Sequence, residues 1–195
     1  MGLRNPGPDY HGTRHNVGEV VGRALAGLAS FKRAPRRIAA EIAEVDLDGR
    51  ASVIVLPTTF MNESGGPVSG LVSYFKVRLS SVVLIHDDID LPFGKLRFHA
   101  GRGAGGHNGV ASVMRSLGSR EVWRMKVGVG RPPGRQEPAD FVLERFPKRQ
   151  HDDVALMVGA AVDVVRCFAA EGGEAAMQAA GDATARLGIA GDSEP

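Results

Sequence analysis

The 195-residue sequence contains a single cysteine and a single tryptophan, and it has no long apolar run. One cysteine, Cys167, cannot form an intramolecular disulfide. A membrane-spanning helix needs about 20 apolar residues, whereas the most apolar stretch, 158–170, is interrupted by Asp163 and Arg166. The N-terminus also lacks the apolar core of a secretory signal. These absences argue against a disulfide scaffold and a membrane protein, and they predict a cytoplasmic location.

A strong excess of charge of either sign is lacking as well, because the chain has 24 basic and 22 acidic residues and a net charge of +2. Attraction to a polyanion would therefore depend on local patches. The stretch 115–135 has one acidic residue, Glu121, against six basic ones: Arg115, Arg120, Arg124, Lys126, Arg131 and Arg135. Such a strip is typical of a protein that holds a phosphate backbone on one face. Ordinary surface charge explains it equally well.

Apolar residues recur in patterns that alternate between strand and helix. Asn16 is the predicted N-cap of a first amphipathic helix, and Asp48-Gly49 predicts a hairpin turn. Strands are predicted at 38–47, 51–56, 81–85, 95–99 and 122–129, and further helices at about 64–75, 108–117, 150–171 and 174–186. We therefore expect a single α/β domain over 1–188, a mixed twisted sheet with helices on both faces, followed by a frayed tail over 189–195.

A histidine and a carboxylate are the first candidates for chemistry. His15 precedes the first predicted helix, and Asp87 follows the buried strand at 81–85, where loops of an α/β sheet commonly form sites. A neutral imidazole can take a proton from water near neutral pH, and a carboxylate can orient it. Asp88 and Asp90 are alternatives to Asp87, and the acidic run could instead be a solvated loop or a Mg²⁺ site.

Three asparagines adjoin turns of the predicted fold: Asn5, Asn62 and Asn108. A carboxamide both donates and accepts hydrogen bonds without carrying a charge, which suits an amide-rich substrate and an oxyanion. Taken singly, each asparagine is more typical of a turn or a helix cap. As a set, they indicate a binding site only through the motifs that surround them.

The glycine-rich segment 101–106 matches the dinucleotide-binding pattern G-x-G-x-x-G, and Glu121 lies near the spacing of a ribose-binding acid. Its mid-chain position, running directly into His107-Asn108-Gly109, argues against that function. Its backbone N–H groups could still hold a phosphate at a helix start. Because neither a Gly-x-Ser-x-Gly motif nor zinc-type spacing occurs, a water activated by histidine is the remaining chemistry.

Taken together, these segments resemble bacterial-type peptidyl-tRNA hydrolases in order and spacing over nearly the whole chain. The matching segments are 2–10 with 13–16, 57–65, 86–92 and 105–109, supported by 128–132 and 140–143. The resemblance implies hydrolysis of the ester that joins tRNA to a peptide or an N-blocked amino acid. It implies peptidyl-tRNA as the partner, without a metal or a cofactor. We expect a monomer, because nothing in the sequence demands an oligomer.

The resemblance also assigns roles to individual residues. His15 is similar to the family's general base, Asp87 to the carboxylate that orients it, and Asn5 to a residue that distinguishes a blocked aminoacyl ester from a free one. The positions expected to bind the peptide, the terminal sugar or the acceptor end are Tyr10, Phe60, Asn62 and Asn108. The positions expected to contact the tRNA backbone are His99, Arg102, Arg115, Lys126 and Arg131.

Two departures from the family pattern leave rivals open. The family usually has an apolar strand before Gly-Leu-x-Asn-Pro-Gly, and this sequence begins at Met1, so we expect that strand to be missing or truncated. Arg4 stands where a small residue is usual. Both favour a non-catalytic RNA-binding protein on the same scaffold. A nucleotide-cofactor enzyme using the loop 101–106 is the second rival.

Overall fold

The computed structural model describes residues 1–132 and 134–189. The helices are α1 Val17–Ala26, α2 Gly65–Phe75, α3 Asn108–Leu117, α4 Pro138–Leu143, α5 His151–Glu171 and α6 Gly173–Leu187. The strands are β1 Lys32–Arg33, β2 Ala40–Leu47, β3 Arg50–Pro57, β4 Val83–Asp88, β5 Leu96–His99 and β6 Trp123–Gly128. All predicted elements are present with small shifts at their boundaries, whereas β1 and α4 were not predicted.

The turn between β2 and β3 follows from the two residues at its tip. Asp48 and Gly49 have positive φ angles of 53° and 82°, as a two-residue turn requires if its twist is to match the strands. The strands then pair antiparallel along their whole length. Arg166 of α5 donates to Asp48 from Nε at 3.0 Å and from Nη2. The predicted hairpin is therefore present and is tied to the helix layer.

Two three-stranded sheets flank the N-terminal residues. One has the order β1-β2-β3 and is antiparallel, and the other has the order β4-β6-β5, in which only β4 and β6 are parallel. The Gly2 N–H donates to the Val55 carbonyl of β3 at 2.9 Å, and the Leu3 N–H donates to the Ile85 carbonyl of β4 at 3.0 Å. The N-terminal segment thus serves as a short strand that joins the two sheets into one mixed sheet.

Helices cover both faces of this sheet, as predicted. Met125 and Val127 of β6 belong to the core cluster that includes α1, α5 and α6, whereas Leu84 of β4 belongs to the cluster that includes α2 and α3. Of the predicted tail, Ile189 packs against the first cluster, and 190–195 lie outside the described residues. No helix in the described part of the chain is long and apolar enough to cross a membrane.

Arg4 is buried beside Asn5, but its charge is compensated. Its guanidinium donates to Glu19 at 2.6 Å, to Glu41 at 2.9 Å and to the Pro57 carbonyl at 2.8 Å. A buried arginine is tolerated when ion pairs and hydrogen bonds offset the loss of its hydration. The unusual residue at this position therefore anchors the segment that carries Asn5.

Candidate active site

A cavity of about 560 Å³ opens where β4 ends. It collects side chains that are far apart in the sequence, and five of them are predicted site residues: Asn5, His15, Asn62, Asp87 and Asn108. Tyr10 and Phe60 are not among the lining residues. They form an edge-to-face pair with ring centroids 6.3 Å apart, and Phe60 directly precedes the lining residues Met61 and Asn62.

The central contact of the cavity joins His15 to Asp87. His15 lies in a 3₁₀ turn directly before α1, and Asp87 lies near the end of β4. The His15 Nδ1 is 2.9 Å from the Asp87 Oδ1. An ionised carboxylate only accepts hydrogen bonds, so this contact places the ring proton of a neutral imidazole on Nδ1. The Nε2 lone pair is then left to act as a base.

A second imidazole, which the sequence reasoning missed, shares this carboxylate. The His107 Nε2 is 3.0 Å from the same Asp87 Oδ1. Its Nδ1 accepts the Gly109 and Val110 N–H groups at 3.1 and 3.3 Å and so caps α3. These bonds assign the ring proton of His107 to Nε2, which makes it a donor to Asp87. The available signal was its place directly before α3, where an N-cap is expected.

The same three side chains could suggest a metal site, since their ligand atoms all lie within 4.8 Å of one another. A metal would need the lone pair of His107 Nε2, and the ring proton would have to move to Nδ1. That nitrogen already accepts two backbone N–H groups. Metal binding would therefore break the cap of α3, and the three residues fit a proton network better than a cation.

Electrostatics keep Asp87 ionised. Burial raises the pKa of Asp87, but the electrostatic interaction with the His107 ring and the hydrogen bonds from both imidazoles lower it by more, and the net pKa lies well below the usual range. Burial, reinforced by the electrostatic interaction with the His107 ring, holds the pKa of the neighbouring His86 well below its usual value. His86 is therefore neutral, and its Nδ1–H donates to the Asp87 carbonyl at 2.6 Å.

Asn5 is fixed by bonds on both its backbone and its side chain. The Asn16 carboxamide accepts the Asn5 N–H and donates to the Asn5 carbonyl, both at 2.8 Å. The Asn5 Oδ1 accepts the Met61 N–H at 2.8 Å, so its amide nitrogen is the group left for a ligand. Asn16 occupies the N-cap position of α1, as predicted, but its side chain makes no capping bond to the helix because it binds the Asn5 backbone instead.

Helix α4 gives the cavity an apolar wall. Its lining residues are Pro138, Ala139, Val142 and Leu143. Arg14, next to His15, donates to the Phe141 carbonyl at 3.1 Å, and its guanidinium lies 4.0 Å from the centroid of the Phe141 ring. These contacts fasten α4 to the turn that carries the candidate base. Helix α4 has six residues, which are too few for helical periodicity to be recognised in the sequence.

The cations predicted to contact the tRNA backbone lie outside the cavity lining, and two of them have acidic partners. Lys126 pairs with Asp88, and both side chains are largely buried. Arg131 pairs with Asp90 at the surface. Each carboxylate reduces the attraction that its cation can offer to a phosphate.

The other members of this predicted set differ in their surroundings. Burial and the charge of Arg124 lower the pKa of His99 to about 4, so His99 is uncharged at neutral pH. Arg102 and Arg115 are exposed. The interpretation of Arg124 as part of a surface strip is wrong, because Arg124 is fully buried and donates to the Arg102 carbonyl and, at 2.5 Å, to the Gly103 carbonyl.

The loop 101–106 lacks the setting of a dinucleotide site. The preceding strand β5 runs antiparallel to β6, whereas the fingerprint belongs to a parallel strand–helix–strand unit. Arg124 holds two of the loop's carbonyl groups. Residues 104–106 instead form part of the wall of the cavity.

Comparison with known proteins relates this geometry to a family. The model of the family described as "Peptidyl-tRNA hydrolase" matches residues 1–186. The chain belongs to this family. A curated peptidyl-tRNA hydrolase from Kineococcus radiotolerans is 46% identical, with 91% of this chain and 93% of the relative covered. One from Mycobacterium sp. (strain KMS) is 45% identical, with 90% and 92% covered.

A solved member of the peptidyl-tRNA hydrolase family has the same fold. The crystal structure of peptidyl-tRNA hydrolase from Acinetobacter baumannii superposes with a TM-score of 0.82 at 27% identity, covering 92% of this chain and 91% of that one. The resemblance inferred from the sequence motifs and the predicted α/β class are both confirmed. The roles of the individual residues stay predictions.

Proposed function

We propose that the chain hydrolyses the ester that joins a peptide, or an N-blocked amino acid, to tRNA, with His15 as the general base. The class of reaction follows from the family, which is one of enzymes acting on this ester. The assignment of the base is carried by one observation, the 2.9 Å hydrogen bond from His15 to a buried, ionised carboxylate.

In the proposed reaction, water attacks the carbonyl carbon of the ester and gives a proton to the His15 Nε2. The new C–O bond turns the carbonyl oxygen into an oxyanion, which an asparagine or backbone N–H stabilises. Collapse of this intermediate breaks the bond to the ribose oxygen, and the imidazolium returns the proton to that oxygen. Asp87 stabilises the imidazolium while the proton resides there. The products are a free carboxylic acid and tRNA.

Asn5 is proposed to select substrates whose amino group is blocked. Its Oδ1 is occupied by the Met61 N–H, so it presents an N–H donor to the substrate. The carbonyl of a peptide or N-acyl group accepts such a bond, whereas a free α-ammonium group offers only donors. A blocked ester can therefore pair with Asn5, and a free aminoacyl ester leaves two donors facing each other.

The remaining predicted residues are proposed to hold the two ends of the substrate. Asn62 and Asn108 line the cavity and are exposed within it, which suits contacts to the peptide, the terminal sugar or the attacking water. Phe60 is 52% exposed and pairs with Tyr10, which is half-buried. Such an aromatic pair is suited to stack on the bases of the acceptor end.

Replacement of the base tests the mechanism. We expect His15→Ala to lose nearly all turnover of N-acetylaminoacyl-tRNA while binding deacylated tRNA as the parent does, because the imidazole acts on water. Free aminoacyl-tRNA is the control substrate, and the parent should hydrolyse it far more slowly. Near-normal hydrolysis by His15→Ala would refute the assignment. Binding of tRNA by a parent protein that hydrolyses neither substrate would support the rival, a non-catalytic RNA-binding protein.

A cytoplasmic location and a monomeric state are part of the same proposal. Peptidyl-tRNA arises where translation takes place, so the enzyme should be found in the same compartment. The proposed reaction needs residues of one chain only. Size-exclusion chromatography with light scattering measures the oligomeric state directly, and a stable dimer would contradict this expectation.

A further inference from the structure

A second cavity, of about 760 Å³, adjoins the active-site cavity at Asn5, a residue that lines both. We call it the rear cavity. Its lining includes several basic or titratable side chains: Arg4, His11, Arg145, Lys148 and His151. The proposed hydrolysis uses none of these five.

The acidic charge in this lining is already neutralised. Glu19 is its one acidic member in the described part of the chain, and it accepts bonds from Arg4 at 2.6 Å, from Arg23 at 2.7 Å and from Asn16 at 3.3 Å. Arg145 and Lys148 are exposed and have no ion-pair partner within the described residues. Their charges are thus free to meet an anion.

The residues around β6 that were predicted to contact the tRNA backbone, which we call the strip, differ in this respect. A phosphate that approaches Lys126 or Arg131 must compete with Asp88 or Asp90, and His99 carries no charge at neutral pH. Free cations bind a phosphate without first breaking an ion pair. Lys126, Arg131 and His99 are therefore weaker partners for a phosphate than Arg145 and Lys148 of the rear cavity, which are unpaired among the described residues.

The backbone ties the rear cavity to the candidate base. Thr13 and Arg145 form an antiparallel bridge, and the Arg14 N–H donates to the Glu144 carbonyl at 3.0 Å. Thr13 lies two residues before His15. The position of the Arg145 backbone is thereby fixed relative to His15, as a site that binds an adjoining part of the same substrate requires.

We propose that the rear cavity binds the phosphodiester backbone of the single-stranded tRNA end that carries the ester. This inference rests on the proposed function. The ester must sit on the terminal ribose beside His15, so the nucleotide chain has to leave the active-site cavity along one of its walls. Asn5 lines both cavities, so a chain that passes Asn5 enters the rear cavity. Arg145 and Lys148 supply the positive charge there. Tyr10 adjoins the lining residue His11, and an aromatic ring at this position can stack on a base.

The test compares two substrates in three double variants. N-acetylaminoacyl-tRNA has the phosphodiester chain, and the N-acetylaminoacyl ester of adenosine has none. Arg145→Gln with Lys148→Gln removes two rear-cavity charges. Lys126→Gln with Arg131→Gln removes two strip charges, and Arg33→Gln with Arg149→Gln removes two exposed charges from neither site. For each protein, KM is measured over a range of salt concentrations.

We expect the rear-cavity variant to raise KM several-fold for the tRNA substrate and to change KM little for the adenosine ester. The slope of log KM against log salt should fall by about 1.4 for the tRNA substrate, since each single-strand phosphate contact contributes about 0.7. A slope equal to that of the Arg33/Arg149 control would overturn the proposal, as would a loss confined to the strip variant. A parent protein that hydrolyses neither substrate would instead mean that the proposed function fails.

Discussion

Replacement of Asp87 by asparagine isolates the charge of the carboxylate from its shape. The asparagine Oδ1 can take the position of the Asp87 Oδ1 and still accept from His15 and His107, which lie at 2.9 and 3.0 Å. The ring orientations and tautomers are then kept, because each imidazole retains its acceptor. The electrostatic stabilisation of the imidazolium that forms on His15 is lost.

The size of this loss follows from the distance between the charges. Opposite unit charges about 4 Å apart attract by about 4 kcal/mol at an effective dielectric constant near 20. Since about 1.4 kcal/mol corresponds to a tenfold change in rate, Asp87→Asn should lower kcat about a thousandfold. Single-turnover hydrolysis of N-acetylaminoacyl-tRNA at saturating enzyme measures the chemical step without a contribution from product release.

A matched control is available three residues further along the chain. Asp90 pairs with Arg131 at the surface and is not part of the cavity lining, so Asp90→Asn should keep a single-turnover rate close to that of the parent. A loss of less than tenfold in Asp87→Asn, with the fold intact by circular dichroism, would refute the idea that this carboxylate stabilises a charged imidazole.

Two further predictions concern stability. A Cβ at Gly65 would lie 2.3 Å from the Ser112 carbonyl oxygen, whereas Gly66 has nothing within 4 Å; Gly65→Ala should cost about 1–3 kcal/mol in urea denaturation, and an equal loss in Gly66→Ala would contradict this packing argument. The pKa of His99 falls from 6.5 to about 4 on folding, and that of His86 is lowered as well. The unfolded chain therefore binds protons that the folded chain rejects, so the free energy of unfolding should fall between pH 7 and pH 4. A smaller decrease in His99→Gln would support this cause, and an unchanged pH profile in that variant would exclude it.

The regular elements were predictable because their signals are local. The Asp48-Gly49 pair specifies its own turn, and the apolar run that becomes β4 is bounded by polar residues. In contrast, β1 has two residues and exists through its pairing with β2. Two residues are too few to show a pattern of their own, so such an element depends on its pairing with β2.

The site was predictable in its composition but not in its connections. His15 and Asp87 were chosen for their chemistry, and the structure brings them together. The role of His107 depends on the direction in which the N-terminus of α3 points, and the burial of Arg124 depends on the loop that covers the second face of β6. The sequence shows that an imidazole and a guanidinium are present, but their surroundings are set by tertiary structure.

The shared carboxylate also decides where the proton goes during the proposed reaction. The contacts from His15 and His107 keep the pKa of Asp87 far below that of an ordinary carboxyl group. Transfer of the proton from the His15 ring to Asp87 is therefore unfavourable. The proton stays on the His15 ring, which is the group placed to return it to the leaving ribose oxygen. His107 thus contributes through Asp87, because its hydrogen bond helps to keep Asp87 ionised and able to stabilise the imidazolium. A carboxylate with a single imidazole partner would be easier to protonate and a weaker support for the base.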